Sequence, residues 1–259
     1  MARTRISLTK TIVKIFLLAL LAPAAFGSPA PTAPRGRLPE YEASVRVMGR
    51  TGKLEPLLDM TERWEFEGQR PARELTLGSY GKVHRNLKLG LFYRVQYGAR
   101  HDDDWTNNGA GTWFWRPTAN RPENVLILDA TPRTSLGGHF TGALKVRFER
   151  NFFNGQNSLK LEPEIAWFWL DGLAPRATVF LRHSTYIPLN FGTRSYYERW
   201  WYLAGLWHPS DSVSVGPSLA LRDTVWTASS DYQAATGGAS YRVVYRALVW
   251  GFTLLVRTH

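Results

Sequence analysis

A histidine and a threonine two residues apart, His183 and Thr185 in the run LRHSTY at residues 181–186, have the residue types of a nucleophilic site. Alternation along a strand puts both side chains on one face, whereas Ser184 points to the other. A histidine within hydrogen-bond reach of a hydroxyl can act as its general base, and a third group must orient the imidazole. Glu198, on the next predicted strand, is the candidate acid. The alternative is a lone histidine without a catalytic role.

The run HDDD at residues 101–104 could gather a cation, because carboxylate oxygens are the ligands that calcium prefers. The alternative is a solvated rim at the end of a strand. The chain contains no cysteine, which excludes a disulfide framework, a thiolate nucleophile and a cysteine metal site. It also has no phosphate loop, nucleotide fingerprint or zinc signature. The sequence therefore predicts neither a cofactor nor a metal site.

Charged residues recur at alternate positions and share one face of several predicted strands. Such a face could line a basic-biased passage for small anionic solutes, or it could form a salt-bridged plug, because side chains largely fill a small barrel. The charges alternate with apolar residues instead of clustering, which argues against nucleic acid as a partner. The residues assigned to this face are Lys82, Lys88, Arg94, Arg100, Lys145, Arg147, Glu149, Lys160, Glu162, Glu164, Arg182 and Arg222.

The elements that would position these residues are clearest around Asn154-Gly155, the strongest hairpin signal in the chain. Both central residues of a type I′ turn need positive φ, which Asn and Gly tolerate. A two-residue turn predicts three opposite-charge pairs across the hairpin: Glu149 with Lys160, Arg147 with Glu162, and Lys145 with Glu164. The other face is then apolar and aromatic, with Phe140, Leu144, Val146, Phe148 and Phe152 against Leu159, Leu161, Ile165, Trp167 and Trp169.

Alternating segments of this kind recur along the chain and predict ten strands, although twelve are possible. Three longer links, 101–122, 187–194 and 227–238, fall at one end of the array, and the short turns 85–86, 171–175 and 208–211 fall at the other. The predicted strands cover 58–67, 74–84, 87–100, 124–131, 140–153, 158–169, 177–186, 195–208, 212–226 and 241–256.

The first 27 residues have a basic start, a short apolar run and small residues before Ser28, which is typical of a cleavable signal peptide. Residues 28–57 are predicted to be a proline-rich linker and an N-terminal periplasmic segment. The role of residues 43–48 within it is open. The formal net charge of the whole chain is +11. The organisation predicted is a signal peptide (1–27), this segment (28–57) and a β domain (58–259).

The β domain resembles the outer-membrane β-barrel proteins of Gram-negative bacteria as a class. Its strands are long, its two faces differ, and its longer links fall at one end. The resemblance implies an all-β, antiparallel, up-and-down transmembrane barrel of about ten strands in the outer membrane. Its expected partners are outer-membrane lipid, lipopolysaccharide and the barrel assembly machinery, and its oligomeric state is open.

The preferred function is porin-like and non-enzymatic: passive passage of small anionic solutes through a narrow lumen, or a structural or surface role. His183 and Thr185 support an alternative, since some outer-membrane lipid hydrolases carry a histidine and a hydroxyl residue two apart on a lipid-facing strand. In this sequence a threonine stands where serine would be expected. A second alternative is a soluble periplasmic β-sheet protein whose apolar face is its core.

Overall fold

A computed structural model describes residues 37–65, 71–98, 105–107, 113–115, 122–172, 174–192, 195–228, 233–234, 237–238 and 242–258. Thirteen strands run through these ranges. They are β1 (Arg37–Met48), β2 (Leu54–Glu65), β3 (Ala72–His84), β4 (Leu87–Tyr97), β5 (Trp105–Asn107), β6 (Trp113–Trp115), β7 (Glu123–Gly137), β8 (Phe140–Asn151), β9 (Asn157–Asp171), β10 (Ala174–Pro188), β11 (Glu198–Ser210), β12 (Val213–Thr227) and β13 (Arg242–Arg257).

Eleven of these strands form one closed barrel, and β5 and β6 form a separate two-stranded sheet. Neighbouring barrel strands run antiparallel except at the closure. Because an odd number of alternating strands leaves the first and last pointing the same way, β1 and β13 close the barrel in parallel, from Arg37 opposite Arg246 to Met48 opposite Arg257. The prediction of an all-β barrel is confirmed. The predicted count of about ten strands is corrected to eleven, and the barrel is mixed rather than purely antiparallel.

The additional strand, β1, lies in the region predicted to be a linker. Strand signals are weak per segment in barrels of this size, and four prolines between residues 29 and 39 favour a linker in the sequence. Pro39 stands near the start of β1, where a missing amide is tolerated best. The barrel therefore begins at Arg37 instead of Leu58. The predicted signal peptide lies outside the described residues and stays a prediction.

The connections between barrel strands lie at two ends of the barrel, and they are longer on average at one end than at the other. At one end, here called the short-turn end, the connections are 49–53, 85–86, 138–139, 172–173 and 211–212. At the opposite, long-link end, the connections are 66–71, 98–122, 152–156, 189–197 and 228–241. The predicted long links all lie at one end. Because β1 precedes the first short turn, the chain enters the barrel at the long-link end and β13 finishes at the short-turn end.

The hairpin between β8 and β9 has a longer turn than its sequence predicts. Gly155 has a φ of +69°, but among the described residues only glycines have positive φ. Asn154 therefore does not have the backbone conformation that the first central residue of a type I′ turn requires. The Asn151 amide donates to the Gln156 carbonyl at 2.8 Å, and the turn between these two residues contains four residues. The pairing consequently moves by two positions: Arg147 faces Lys160, Lys145 faces Glu162 and Ala143 faces Glu164. The predicted pairs Glu149–Lys160, Arg147–Glu162 and Lys145–Glu164 are therefore wrong.

The two faces of the hairpin are nevertheless those predicted. Side chains alternate with a period of two, so a shift of two residues exchanges partners without exchanging faces. Glu149 and Glu162 are buried on the inner face, whereas Leu144, Ile165 and Trp167 are exposed on the outer one.

Part of the barrel interior is packed with apolar side chains. Phe92, Val125 and Ile127 form one buried cluster with Leu57. Tyr80 meets the edge of Phe92 at a centroid distance of 4.7 Å. A second buried cluster contains Trp200, Ala220, Trp226, Tyr245, Ala247 and Val249.

The outer surface is dominated by exposed large apolar side chains on nearly every barrel strand. Leu91, Trp169 and Trp207 are each 58% exposed, although they lie within strands and not in loops. The distribution is the reverse of a typical soluble domain, in which contiguous apolar patches are small. Others of this outer set are Leu77, Leu128, Leu144, Ile165, Leu181, Leu203, Trp250 and Phe252.

Candidate functional site: the barrel interior and the outer wall at His183

Asp129 of β7 is the centre of one ion-pair cluster inside the barrel. Arg147 of β8 donates to both carboxylate oxygens, from Nε to Oδ1 at 2.8 Å and from Nη2 to Oδ2 at 2.9 Å. The Tyr80 hydroxyl of β3 donates to Oδ2 at 3.1 Å. The Asp129 side chain is 0% exposed. The enclosed Asp129 carboxylate, bound at two points by one guanidinium group, thus links β7 to β8 and, through Tyr80, to β3.

Arg94 of β4 extends this cluster toward the long-link end. Its Nη2 lies 2.6 Å from Oε2 of Glu149, and its Nη1 lies 3.6 Å from Oε2 of Glu74. Arg147 Nη1 also lies 3.6 Å from Oε1 of Glu149. The interior charges are thus joined across β3, β4, β7 and β8 and do not form isolated pairs.

Glu162 of β9 is surrounded by three cations. Lys145 Nζ lies 3.3 Å and Arg182 Nε lies 3.6 Å from Oε1, and Lys160 contacts Oε2. The Ser184 hydroxyl donates to Oε2 at 2.8 Å. Arg182 also binds Glu164 at 2.5 Å, so three cationic side chains pair with two carboxylates in this part of the wall. The net charge of this group is positive.

Two cavities within the barrel meet at Arg63, Tyr186 and Trp200, a group here called the septum. All three residues line both cavities. The Arg63 guanidinium lies 4.8 Å from the centroid of the Trp200 ring, and the Arg222 guanidinium lies 5.3 Å from it. Glu40 holds Arg222 at 3.3 Å. Cation–aromatic contacts of this kind hold the indole ring in place.

The cavity on the short-turn side, here called the vestibule, has a volume of about 570 Å³. Three carboxylates line it, those of Glu42, Glu162 and Glu164. Seven cationic side chains line it as well: Arg46, Arg63, Arg85, Arg133, Lys160, Arg182 and Arg257. The excess of guanidinium and ammonium groups makes this space suitable for an anion.

The cavity on the long-link side is smaller, about 210 Å³, and its charges balance. Arg63, Arg94 and Arg222 line it together with Glu74, Glu149 and Glu198. Tyr197, in the link before β11, also borders this cavity, and burial raises the pKa of its phenol well above the usual value. The hydroxyl is therefore a neutral group at physiological pH.

Most of the charges predicted for the lumen lie on the inner face. Lys88 contacts Glu55, and Lys82 stands opposite Lys88 in the β3–β4 register. Arg100 and the acid run at residues 101–104 lie outside the described residues. The inner set is Lys82, Lys88, Arg94, Lys145, Arg147, Glu149, Lys160, Glu162, Glu164, Arg182 and Arg222.

Several charged residues of the interior are not identified by the sequence analysis. Glu40 and Glu42 fall in the segment read as a linker, and Arg63 was not assigned to the lumen set. Asp129 stands in the run ENVLILDA, where Val125 and Ile127 precede it on the same face. The face looks apolar in sequence because the interior there is packed with hydrocarbon. Alternation from Glu123 through Asp129 is the signal that could have identified it.

The outer wall carries His183 and Thr185 side by side on β10. The His183 Nε2 and Thr185 Oγ1 atoms are 2.9 Å apart, and His183 Nδ1 lies 2.9 Å from the carbonyl oxygen of Trp200. A carbonyl only accepts, so Nδ1 carries the proton and Nε2 accepts from the threonine hydroxyl. The Trp201 ring lies 4.2 Å from the imidazole and limits its rotation. This is the arrangement of a general base and a hydroxyl nucleophile.

Glu198 does not complete this site. It pairs with Tyr186 on the inner face, accepts from the Trp200 indole and lies 3.5 Å from Arg222 Nε. Since His183 is on the outer face, Glu198 cannot orient it, and a backbone carbonyl takes that place. The structure therefore does not bring the candidate acid Glu198 to the histidine.

An outer groove of about 620 Å³ borders His183. Pro132, Leu144, Pro163 and Ile165 supply much of its lining. Pro163 has no amide hydrogen, and the β9–β10 register skips from Arg182–Glu164 to Thr185–Leu161 near it, whereas the β8–β9 register is continuous. The groove is mostly apolar, although Arg133, Thr134 and Glu164 also line it, and it reaches His183.

No group of three or more histidine or carboxylate side chains in the described parts of the chain could hold a metal ion. Among the same residues, no helix has the length and apolar character needed to cross a membrane. No family model matches this sequence, and no curated protein matches it.

Proposed function

We propose that this protein is an integral outer-membrane barrel that admits small anions to a basic vestibule behind a closed septum. The observation that carries the proposal is its inverted polarity. Tryptophans and leucines cover the outside, for example Trp169 and Leu91 at 58% exposure, and ion pairs such as Arg147–Asp129 are enclosed within. Lipid is the solvent in which an exposed apolar wall is favourable, and a closed barrel satisfies its backbone hydrogen bonds there.

The lengths of the connections support an orientation. Barrels of the outer membrane have short periplasmic turns and longer outer loops. The short-turn end then faces the periplasm, and the vestibule with its excess of cations opens toward that side. In this orientation β1 begins on the outer side of the membrane, which differs from the periplasmic segment that the sequence predicts at residues 28–57. The assembly machinery and outer-membrane lipid are the partners that such a barrel requires.

The septum limits passage in this proposal. Conductance in planar bilayers is expected to be low for the wild-type protein. Trp200→Ala removes the ring that contacts both Arg63 and Arg222, so it should raise conductance and favour anions over cations. Trp201→Ala is the matched control, because it removes the same side chain from the next residue on the outer wall.

Two results would contradict the proposal. Recovery of the mature chain as a soluble periplasmic species without heat-modifiable gel mobility would remove the membrane barrel and favour the soluble alternative. Equal conductance for Trp200→Ala and Trp201→Ala would remove the septum and favour a structural or surface role.

A second candidate function is hydrolysis of a lipid acyl ester at His183 and Thr185, which the 2.9 Å contact and the adjoining apolar groove favour. Thr185 Oγ would bond to the ester carbonyl carbon while its proton passes to His183 Nε2. The bond to the leaving alcohol would break as that proton is returned to it, and water would then hydrolyse the acyl-threonine in the same way.

The hydrolysis assay uses the refolded full-length protein and a phospholipid in mixed micelles. Thr185→Val should abolish release of fatty acid, and Thr185→Ser should retain it. The interior pair His208–Thr178, with 2.8 Å between Nε2 and Oγ1, offers a matched control in Thr178→Val. Absence of hydrolysis by the wild-type protein, or equal loss in the two valine variants, would exclude this activity.

A further inference from the structure

Three charged residues stand in one row on the outer wall at the long-link end. Arg199 of β11 is directly opposite Asp223 of β12, which is directly opposite Arg246 of β13. Arg199 Nη2 lies 3.1 Å from Oδ2 of Asp223, and Arg246 Nε lies 4.0 Å from Oδ1. Two guanidinium groups therefore share one carboxylate.

The hydrogen bonding of this row is incomplete. Arg199 Nε and Asp223 Oδ1 are enclosed but have no hydrogen-bond partner. The Arg246 side chain is 59% exposed, and its ion pair with Asp223 is long, at 4.0 Å. Two guanidinium groups share one carboxylate, so one positive charge is in excess, and the exposed parts of Arg199 and Arg246 can accept an anion.

The row directly borders the apolar outer surface. Two residues along each strand toward the short-turn end, the next outward-facing residues are Trp201, Leu221 and Leu248. They are also opposite one another in the register. Trp201 is 53% exposed and Leu221 is 41% exposed. A row of cationic side chains next to a row of aromatic and aliphatic ones matches the change from lipid headgroups to acyl chains at a membrane interface.

We infer that Arg199 and Arg246 bind the phosphate of a lipid headgroup in the outer leaflet. Guanidinium groups match the geometry of phosphate and form charge-assisted hydrogen bonds with it. A lipid is favoured over free phosphate because its acyl chains would contact the apolar row beside the arginines. The inference rests on the proposed membrane barrel and adds a defined lipid site to it.

The test measures binding of bisphosphorylated lipid A to the full-length refolded protein in detergent. Arg199→Gln with Arg246→Gln should weaken binding at least about tenfold, because each removes a charge-assisted contact. Asp223→Asn should strengthen binding, since it removes the carboxylate that competes with phosphate. Arg176→Gln is the control: Arg176 also pairs with an exposed aspartate, Asp171, but at the short-turn end.

Two further probes distinguish the sources of phosphate. A glycolipid with the same acyl chains but no phosphate should bind like the double variant. Inorganic phosphate at the same concentration as lipid A should not displace the lipid. Displacement would mean that the arginines bind free phosphate instead of a lipid headgroup. Unchanged lipid A affinity in the double variant, or weaker binding in Asp223→Asn, would overturn the inference.

The membrane proposal is tested separately in the same samples. All variants should keep heat-modifiable mobility, because the row is at the rim of the barrel. If the wild-type protein does not insert into a membrane, the proposed function fails. If it inserts but the arginine variants bind lipid A normally, only the phosphate site fails.

Discussion

Replacing Arg147 with alanine tests the interior ion pairs and the β8–β9 register together. The change removes both guanidinium contacts to Asp129, at 2.8 and 2.9 Å, and leaves that carboxylate with the Tyr80 hydroxyl as its remaining partner. Removing one partner of an enclosed pair costs about 3–5 kcal/mol, because the other charge is left without compensation. Asp129→Ala should cost less, since Arg147 keeps its contact with Glu149 at 3.6 Å.

The double variant should be less destabilised than the sum of the single ones, by about 1–3 kcal/mol, because the two side chains contact each other. The measurement is urea unfolding of the refolded barrel in detergent, analysed as a double-mutant cycle. A second cycle with Glu162→Ala should be additive within about 0.5 kcal/mol, since Arg147 and Glu162 share no ionic partner. The exposed pair Arg176–Asp171 is a surface control and should couple by about 0–1 kcal/mol.

The refuting result is specific. Stronger coupling of Arg147 with Glu162 than with Asp129 would restore the register of a two-residue turn. Strict additivity in both cycles would mean that Arg147 makes no stabilising contact with either carboxylate.

Three further predictions concern the outer wall, a turn and the topology. Leu91→Arg should cost roughly 2–4 kcal/mol in lipid-reconstituted unfolding, whereas Leu189→Arg in a long link should be tolerated; equal costs would contradict a lipid-facing strand. Gly155→Ala should lower stability by about 1–2 kcal/mol because its φ is positive, and Gly205→Ala, with open space around it, should be milder; the reverse order would contradict the turn. An epitope inserted after Gly36 should be labelled on intact cells, because β1 begins at the long-link end; labelling only after the outer membrane is opened would reverse the orientation.

Local alternation in the sequence determined which face of each strand is polar. The hairpin of β8 and β9 demonstrates this: its predicted partners were wrong by two residues, yet Glu162 still points inward and Ile165 outward. Face assignment depends only on the parity of a position, and parity survives an error of two. The distribution of long and short connections was likewise readable, because glycine, asparagine and proline mark turns locally.

Only the tertiary structure decided how the barrel closes and which charges meet. A parallel β1–β13 closure joins residues about 210 positions apart, as in the hydrogen bond between Ser44 and Thr253, and no local pattern specifies it. The septum likewise depends on β2, β10 and β11 converging on Arg63, Tyr186 and Trp200. Partner choice follows the register, and the register follows turn geometry and closure, which are properties of the whole barrel.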